Sequence, residues 1–239
     1  MSLAHETEPI SETSANPSGI LAGGTPVYEA AKRAIDIVVS LAFVIMLSPL
    51  WLVIALAIRR NSPGGALFRG QVVGRFGQHF TYYKFRTMYA NSDNSIHQKW
   101  LEEFVKSDRP FRKADGAPGS RAVYKVVNDP RVTPIGAWLR RTSLDEVPQL
   151  INVLRGEMSL IGPRPPVAYE YVHYDDYARQ RLLVKPGITG LYQVTARSAV
   201  GFREMVAIDL DYIQRRSLLL DLSIMVRTPW VMLLGKGAG

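Results

Sequence analysis

The chain of 239 residues contains no cysteine, which excludes disulfides and thiolate metal sites. Its four histidines are scattered, without the spacing that zinc ligands show. No P-loop (GxxxxGKS or GxxxxGKT) is present, and the loose glycine pattern GQVVGRFG lacks the strand-turn-helix context of a dinucleotide site. Zinc chemistry, thiol chemistry and the common nucleotide-binding loops are therefore not indicated.

Acidic residues are also in short supply, since 29 lysines and arginines face 21 aspartates and glutamates, for a formal net charge of +8. A basic balance indicates an anionic partner, such as nucleic acid, anionic lipid or a phosphorylated substrate. The hydrophobic fraction of 47% is enough for a real core. Because a long apolar segment accompanies the charge, membrane lipids are the favoured partner and no nucleic acid is expected.

The amino-terminal segment lacks both aromatic residues and a signal sequence. Residues 1–26 are rich in Ser, Glu, Thr, Pro and Gly, which predicts a disordered tail. The segment has no basic start, and no A-x-A-type cleavage site follows the apolar stretch. We therefore expect the apolar stretch to be retained and the rest of the chain to stay in the cytosol.

Residues 34–58, AIDIVVSLAFVIMLSPLWLVIALAI, are apolar enough for about 20 membrane-embedded residues, the usual requirement for a span. Ser48 and Pro49 lie near the centre, where proline removes a backbone hydrogen bond and kinks a helix. Basic pairs at both ends have equal claim to the cytosolic side. These pairs are Lys32-Arg33 and Arg59-Arg60. Charges and proline alone favour equally a re-entrant helix-break-helix (27–60) and a kinked single span.

The polar residues at the start of this segment have a structural explanation. A helix is predicted to begin near Val27 and to run into the apolar stretch. Asp36 lies three to four residues from Lys32 and Arg33, and this helical spacing predicts that it pairs with them.

The remainder, residues 61–239, is predicted to be a cytosolic domain of mostly helical α+β type. Residues 66–88 show a β-hairpin pattern with a Gly-Arg-Phe-Gly turn at 74–77. Helical patterns occupy residues 93–107, 134–141, 144–154, 167–183 and 202–216. Residues 108–121 are predicted to form a loop. The apolar stretch 218–234 is interrupted by charges and proline, so an amphipathic helix lying in the membrane interface is expected.

Two adjacent carboxylates, Asp145 and Glu146, precede an apolar helical run. A structural explanation is a capping box, in which Ser143 caps a helix and Glu146 reaches back to it. Pro148 shifts the helix start past Ser143, because proline fits best in the first turn. Either register leaves both carboxylates at a helix N-terminus, where their ionised forms are favoured. An ionised aspartate can act as a nucleophile or bind a hard divalent cation.

Basic residues surround this pair in the sequence. They are Lys84, Arg86, Arg140, Arg141, Arg155 and Arg164. Each cation taken alone is better explained by a solvated face or a surface ion pair. Arginine forks suit phosphate oxygens, however, and a carboxylate among several cations is typical of a phosphoryl-transfer site.

Four strings together resemble one protein family: KRAIDIVVSLAFVIMLSPLWLVIALAI, ALFRGQVVGRFGQHFTYYKFRTM, NDPRVTPIGAWLRRTSLDEVPQLINVLRGEMSLIGPRPP and KPGITGLYQVTARS. The chain resembles the bacterial sugar transferases, the monotopic polyprenyl-phosphate phosphoglycosyl transferases. The resemblance covers about residues 27–235. The absence of spans before residue 27 resembles the short forms, which lack a four-helix amino-terminal module.

The resemblance implies a membrane enzyme on the cytosolic face of the bacterial inner membrane. Such enzymes transfer a sugar-1-phosphate from a UDP-sugar to polyprenyl (undecaprenyl) phosphate, and they release UMP. The carboxyl-terminal region looks more like the hexose-transferring exopolysaccharide branch. The oligomeric state, the sugar and the pathway are not specified by the sequence, although packing in the membrane is compatible with a homodimer.

The resemblance also implies roles for particular residues. Asp145 would attack the β-phosphorus to form a phosphosugar-enzyme intermediate, with Mg2+ held near it, and Glu146 would assist proton handling. Ser48-Pro49 matches the family's re-entrant break. The cations expected to bind substrate phosphates are Lys84, Arg86, Arg140, Arg141 and Arg164. The alternatives are a non-enzymatic membrane-anchored protein that binds lipid or a polysaccharide-assembly partner, direct single-step transfer without a covalent intermediate, and, ranked last, a nucleic-acid binder.

Overall fold

The computed structural model describes residues 24–90, 92–93, 95–108, 129–196 and 200–233. Most of the predicted tail and nearly all of the predicted 108–121 loop lie outside these residues. Within them the protein is mostly helical, with two small two-stranded sheets. The helices are α1 Pro26–Asn61, α2 Ser95–Ser107, α3 Pro134–Thr142, α4 Leu150–Arg155, α5 Ala168–Tyr171, α6 Asp176–Arg179, α7 Leu191–Thr195, α8 Phe202–Arg215 and α9 Leu218–Leu233. The strands are β1 Leu67–Val73, β2 His79–Phe85, β3 Ser159–Ile161 and β4 Gly187–Thr189.

Helix α1 is continuous through Ser48 and Pro49, where the sequence analysis predicts an interruption. The helix therefore stays hydrogen-bonded across Ser48-Pro49, and the re-entrant course of the segment stays a prediction. Proline lacks the N–H that would bond to the carbonyl of Ile45, four residues earlier. The Ser48 hydroxyl donates to that same Ile45 oxygen at 2.8 Å, so the carbonyl keeps a partner and the helix continues.

The rest of the protein leaves most of the middle of α1 uncovered. Within the described residues, α1 is the one helix long and apolar enough to cross a membrane, with a mean hydropathy of 2.7 over its most apolar window. Only 11% of this most apolar part of the helix is buried inside the protein. Exposed apolar residues along it include Val38, Ile45, Met46, Leu52 and Val53. A contiguous apolar surface of this kind indicates a membrane or a partner as its cover.

The predicted hairpin is confirmed. Strands β1 and β2 pair antiparallel with Leu67 opposite Phe85 and Val73 opposite His79. The turn at Gly74 to Gly77 contains a short 3₁₀ segment, and Phe76 takes a left-handed conformation with φ 57°. The second sheet, β3 with β4, is parallel, and it places the chain after Ile161 beside Thr189.

The main apolar core lies beneath the hairpin and between the later helices. Phe104 of α2 packs edge-to-face on Phe202 of α8, with ring centroids 5.7 Å apart. Met205 and Ile213 of α8 and Ile224 of α9 are also buried in this cluster. The predicted helices at 93–107 and 202–216 are thereby confirmed, and 167–183 divides into two short helices and a 3₁₀ turn.

Both ends of α1 are held by the rest of the chain. At its start, Asp36 accepts hydrogen bonds from Ser159 Oγ (3.1 Å) and Leu160 N (3.0 Å), and it does not form the predicted ion pairs with Lys32 and Arg33. Those two cations have other partners. Lys32 Nζ lies 2.8 Å from Asp221 of α9, and Arg33 donates to the carbonyls at the end of α4. The tertiary partners override the local helical spacing.

The far end of α1 is held mainly by apolar packing. Ile54 and Ile58 are buried against Phe85 of β2 and Leu139 of α3. Just beyond the helix, Arg86 donates to the carbonyl oxygens of Ser62 (2.8 Å) and Pro63. One domain thus contacts both termini of the apolar helix.

Candidate active site

The Asp145-Glu146 pair lies in a reversal between two helices. Helix α3 ends at Thr142, and Ser143 takes a left-handed conformation with φ 56°. A 3₁₀ turn, Leu144–Gln149, then carries both carboxylates into α4. The capping-box alternative is wrong, because within the described residues Ser143 makes no side-chain cap bond and instead ends the preceding helix. Its N–H donates to the Arg140 carbonyl at 3.3 Å.

Lys84 of β2 holds Glu146. Its Nζ lies 2.7 Å from Glu146 Oε1, and the two side chains are 15% and 31% exposed. Burial opposes the ammonium charge, but the Glu146 carboxylate, Tyr82 and Asp145 more than offset it, so the pKa of Lys84 is raised. Lys84 therefore stays cationic beside the carboxylate pair.

Arg140 and Arg164 also face this region. Arg140 Nε donates to Thr87 Oγ1 at 2.9 Å, which fixes the guanidinium at the end of the hairpin. Burial lowers the pKa of Arg140 from its ordinary value, although Asp145 and Asp129 oppose the shift. Lys84, Glu146 and Arg164 together line a small cavity of about 30 Å3. The structure brings these cations together around the carboxylates.

Two of the arginines predicted to bind substrate phosphates, Arg86 and Arg141, have different surroundings. Arg86 is buried and donates to the carbonyls after α1, so two of its nitrogens are occupied by the backbone. Arg141 is exposed on α3, on the opposite side of the helix end from buried Leu139. Their assignment to substrate binding stays a prediction.

The loop that carries Arg164 is fixed by groups that the sequence analysis missed. Arg181 is buried, pairs with Asp209 at 2.8 Å, and donates to the Arg164 carbonyl at 3.2 Å. The loop also needs glycine, since a Cβ on Gly162 would lie 2.6 Å from the Lys185 carbonyl oxygen. No local sequence pattern signals the Arg181 contact, because its partners are 17 and 28 residues away.

A histidine from α2 was also missed. His97 Nδ1 lies 2.6 Å from the Tyr169 hydroxyl, and its ring stacks on Trp100 with centroids 5.7 Å apart. Burial, followed by the positive charges of Arg164 and neighbouring cations, lowers the pKa of His97 to about 4. His97 is therefore neutral at physiological pH and lies within electrostatic range of the phosphate-binding candidates.

A large groove of about 490 Å3 joins this polar site to the membrane helix. Asp145, Glu146 and Arg164 line one part of it. The apolar wall comes from α1 and α9, through Val39, Phe43, Leu47, Met225, Val231 and Met232. A ligand with a charged head and a long apolar tail matches this division.

A carboxylate pair among cations is typical of a phosphoryl-transfer site, and here it lines a groove whose other wall comes from a membrane-type helix. The chain belongs to the bacterial sugar transferase family, whose model matches residues 27–235. It is therefore a sugar transferase.

Curated relatives share most of its length. It is 41% identical to the exopolysaccharide production protein ExoY of Sinorhizobium fredii, over 89% of this chain and 90% of that protein. It is 41% identical to an undecaprenyl-phosphate galactose phosphotransferase of Salmonella typhimurium, over 87% of this chain and 41% of the relative. It is 36% identical to a UDP-glucose:undecaprenyl-phosphate glucose-1-phosphate transferase of Xanthomonas campestris, over 87% of this chain and 40% of the relative.

Proposed function

We propose that this enzyme transfers a hexose-1-phosphate from a UDP-sugar to undecaprenyl phosphate, giving undecaprenyl-diphosphate sugar and UMP. The observation that carries the proposal is the groove, which has Asp145, Glu146 and Arg164 at one part and the apolar face of α1 at another. The substrates named for the Salmonella and Xanthomonas relatives fit this division. The ExoY relatives point to exopolysaccharide synthesis as the pathway class.

The first step is attack by an Asp145 carboxylate oxygen on the β-phosphorus of the UDP-sugar. The bond between that phosphorus and the bridging oxygen breaks, UMP leaves, and a phosphosugar remains on Asp145. Lys84, Arg140 and Arg164 bind the phosphate oxygens and neutralise the charge that develops on them.

The second step uses the same phosphoryl position. An oxygen of the lipid phosphate attacks the phosphorus, the acyl-phosphate bond breaks, and Asp145 is regenerated as a carboxylate. Glu146, held by Lys84 at 2.7 Å, accepts a proton from the lipid phosphate if that group arrives protonated. Because one site serves both substrates in turn, ping-pong kinetics are expected.

Magnesium fits this donor set. No group of three or more histidine, aspartate or glutamate ligands is found within the described residues. Mg2+ needs no such cage, since one or two carboxylates together with substrate phosphates commonly hold it. Asp145 would supply the protein ligand, and the bound ion would neutralise charge on the diphosphate.

A re-entrant placement of α1 is supported by its two held ends. At 1.5 Å per residue the 36-residue helix is about 54 Å long if straight, well over a hydrocarbon core of about 30 Å. A spanning helix would separate its ends across the bilayer, whereas one domain contacts Asp36 and Ile58. We infer that α1 bends at Pro49 within one leaflet, on the cytosolic face of the inner membrane, with α9 in the interface.

The function is tested by measuring UMP release from a panel of UDP-sugars, with Mg2+ and undecaprenyl phosphate in detergent micelles. Lipid-dependent UMP release with one hexose donor is expected, and the Arg215→Gln variant, altered at an exposed site, should match the wild type. A binding protein without enzymatic activity would release no UMP from any donor, and that result would overturn the proposal.

A further inference from the structure

A second cavity, here called the rear cavity, lies behind strand β3. Its volume is about 210 Å3, and Ser159 and Ile161 of β3 form part of its lining. Ile161 also lines the catalytic groove, so the strand separates the two spaces. The remaining walls come from the start of α1, the hairpin turn, the residues before β4 and the end of α8.

The lining of the rear cavity is strongly basic. Its five cations are Lys32, Arg33, Arg75, Lys185 and Arg216. Its carboxylates are Glu29 and Asp36, and Tyr28, Ser159 and Tyr212 also line it. Several of these groups already have protein partners: Lys32 pairs with Asp221, and Arg75 Nε donates to the Leu183 carbonyl at 3.1 Å. With Asp221 counted as the partner of Lys32, five cations against three carboxylates leave an excess of two positive charges.

Two nitrogens of Arg216 have no acceptor among the residues that the structure describes. The residue is 6% exposed, and its Nη2 lies 3.4 Å from Glu29 Oε1. Its Nε and Nη1 are buried and have no hydrogen-bond partner within the described part of the chain. Buried guanidinium nitrogens are rarely left in this state, because an unmade hydrogen bond to a charged group is costly. An acceptor in the cavity would satisfy them.

Lys185 and Arg33 both line the rear cavity, and their cationic groups lie near each other beside Gly156. A Cβ placed on Gly156 would lie 3.5 Å from Arg33 Nη2 and 3.6 Å from Lys185 Nζ. Burial, and the positive charges of Arg33 and Arg75, lower the pKa of Lys185. Within the described residues Lys185 has no hydrogen bond or ion pair. An anion here would relieve the repulsion between like charges.

We propose that the rear cavity is a second phosphate-binding site, separate from the one at Asp145. Arg216 and Lys185 would bind the phosphate oxygens, and Arg33 would contribute charge. The cavity lies beside the first turns of α1, where the apolar segment begins, so the phosphate belongs either to an anionic lipid headgroup or to a soluble phosphate compound. The site does not depend on the proposed transfer reaction.

The experiment uses the whole protein and has two arms. In uncharged detergent, phosphorus NMR line broadening measures the affinity for inorganic phosphate. In nanodiscs of phosphatidylcholine, with or without phosphatidylglycerol, the shift of the thermal midpoint measures headgroup binding. The variants are Lys185→Gln at the rear cavity, Lys84→Gln at the catalytic site, and Arg215→Gln as an exposed control that pairs only with Asp211.

The proposal expects Lys185→Gln to lose about tenfold in affinity in at least one arm, as removal of a charged hydrogen bond does. Lys84→Gln and Arg215→Gln should retain that binding. If Lys185→Gln weakens the binding of inorganic phosphate, the ligand is a soluble phosphate compound. If Lys185→Gln reduces only the shift of the thermal midpoint caused by phosphatidylglycerol, the ligand is a lipid headgroup. If Lys185→Gln behaves as the wild type in both arms, or if Lys84→Gln abolishes all phosphate binding, the second site does not exist.

Discussion

Two lysine-carboxylate pairs in this enzyme have nearly the same length and different surroundings. Lys32 and Asp221 are 2.8 Å apart, and Lys84 and Glu146 are 2.7 Å apart. We call them the clamp pair and the site pair. Asp221 is enclosed and accepts hydrogen bonds from Tyr28, Lys32 and Tyr212. Glu146 is 31% exposed at its side chain and lines the groove.

The difference shows that the environment of an ion pair decides its role. Both oxygens of Asp221 are occupied by donors that tie α1 to α8 and α9, so the clamp pair fastens the membrane helix. Removing one partner of an enclosed pair leaves a buried charge, which is strongly destabilising. The site pair is open to a cavity, so substrate phosphates can reach Lys84 without local unfolding of the protein.

The largest expected effect falls on catalysis at the site pair. Glu146→Gln should lower kcat by about a thousandfold, as loss of a proton-transfer group does, and it should cost less folding free energy than Asp221→Asn, because the Asp145 carboxylate remains near the Lys84 ammonium. Steady-state UMP release and thermal unfolding of the same preparation measure the two quantities. If Glu146→Gln lowered the thermal midpoint and left turnover unchanged, the site pair would stabilise the fold, as the clamp pair does, and would have no catalytic role.

The next effect falls on stability at the clamp pair. Asp221→Asn should cost about 3 kcal/mol of folding free energy, because the Lys32 ammonium would lose its buried counter-charge. Denaturant unfolding in uncharged detergent measures this loss. Asp211→Asn, at an exposed pair with Arg215, is the matched control and should cost less than about 1 kcal/mol. Equal losses in the two variants would contradict the distinction.

A smaller effect, on the pH dependence of stability, distinguishes the region around the candidate active site from the clamp pair. The folded-state pKa of His97, about 4, lies below its unfolded value of about 6.5, so between these pH values the folded state binds fewer protons than the unfolded state. Its cost to stability is absent above about pH 6.5 and grows down to about pH 4. At pH 5 it amounts to about 2 kcal/mol.

His97→Gln should remove that part of the pH dependence. The measurement is the difference in unfolding free energy between wild type and variant at pH 7 and pH 5. Asp221→Asn should retain the acid sensitivity due to His97. If the unfolding free energies of the wild type and of His97→Gln changed equally between pH 7 and pH 5, His97 would not be the source of the pH dependence.

The local features of the fold were predictable from sequence, and the tertiary partners were not. Alternating Val, Phe and Tyr residues around a Gly-Arg-Phe-Gly turn sufficed for the hairpin. The capping box at Ser143 failed because a left-handed residue closing one helix has the same local sequence as a cap opening the next. Asp36 was assigned to neighbours on its own helix, but its partners are more than 120 residues away.

The candidate site divides in the same way. The string SLDEVPQL singles out Asp145 and Glu146, and the cations follow from their abundance nearby. Arg86 shows the limit of that inference, because the positive charge that suits phosphate equally suits the carbonyls of Ser62 and Pro63. His97 could not be found, since only the tertiary fold brings α2 to Tyr169.

The most direct test of the account is the covalent state of Asp145. Protein incubated with Mg2+ and its UDP-sugar, without undecaprenyl phosphate, is quenched, digested and examined by mass spectrometry. We expect one hexose-phosphate on the peptide that contains Asp145, about one UMP released per enzyme, and neither product from Asp145→Asn. Transfer that requires lipid for any UMP release, with no adduct on Asp145, would contradict the account.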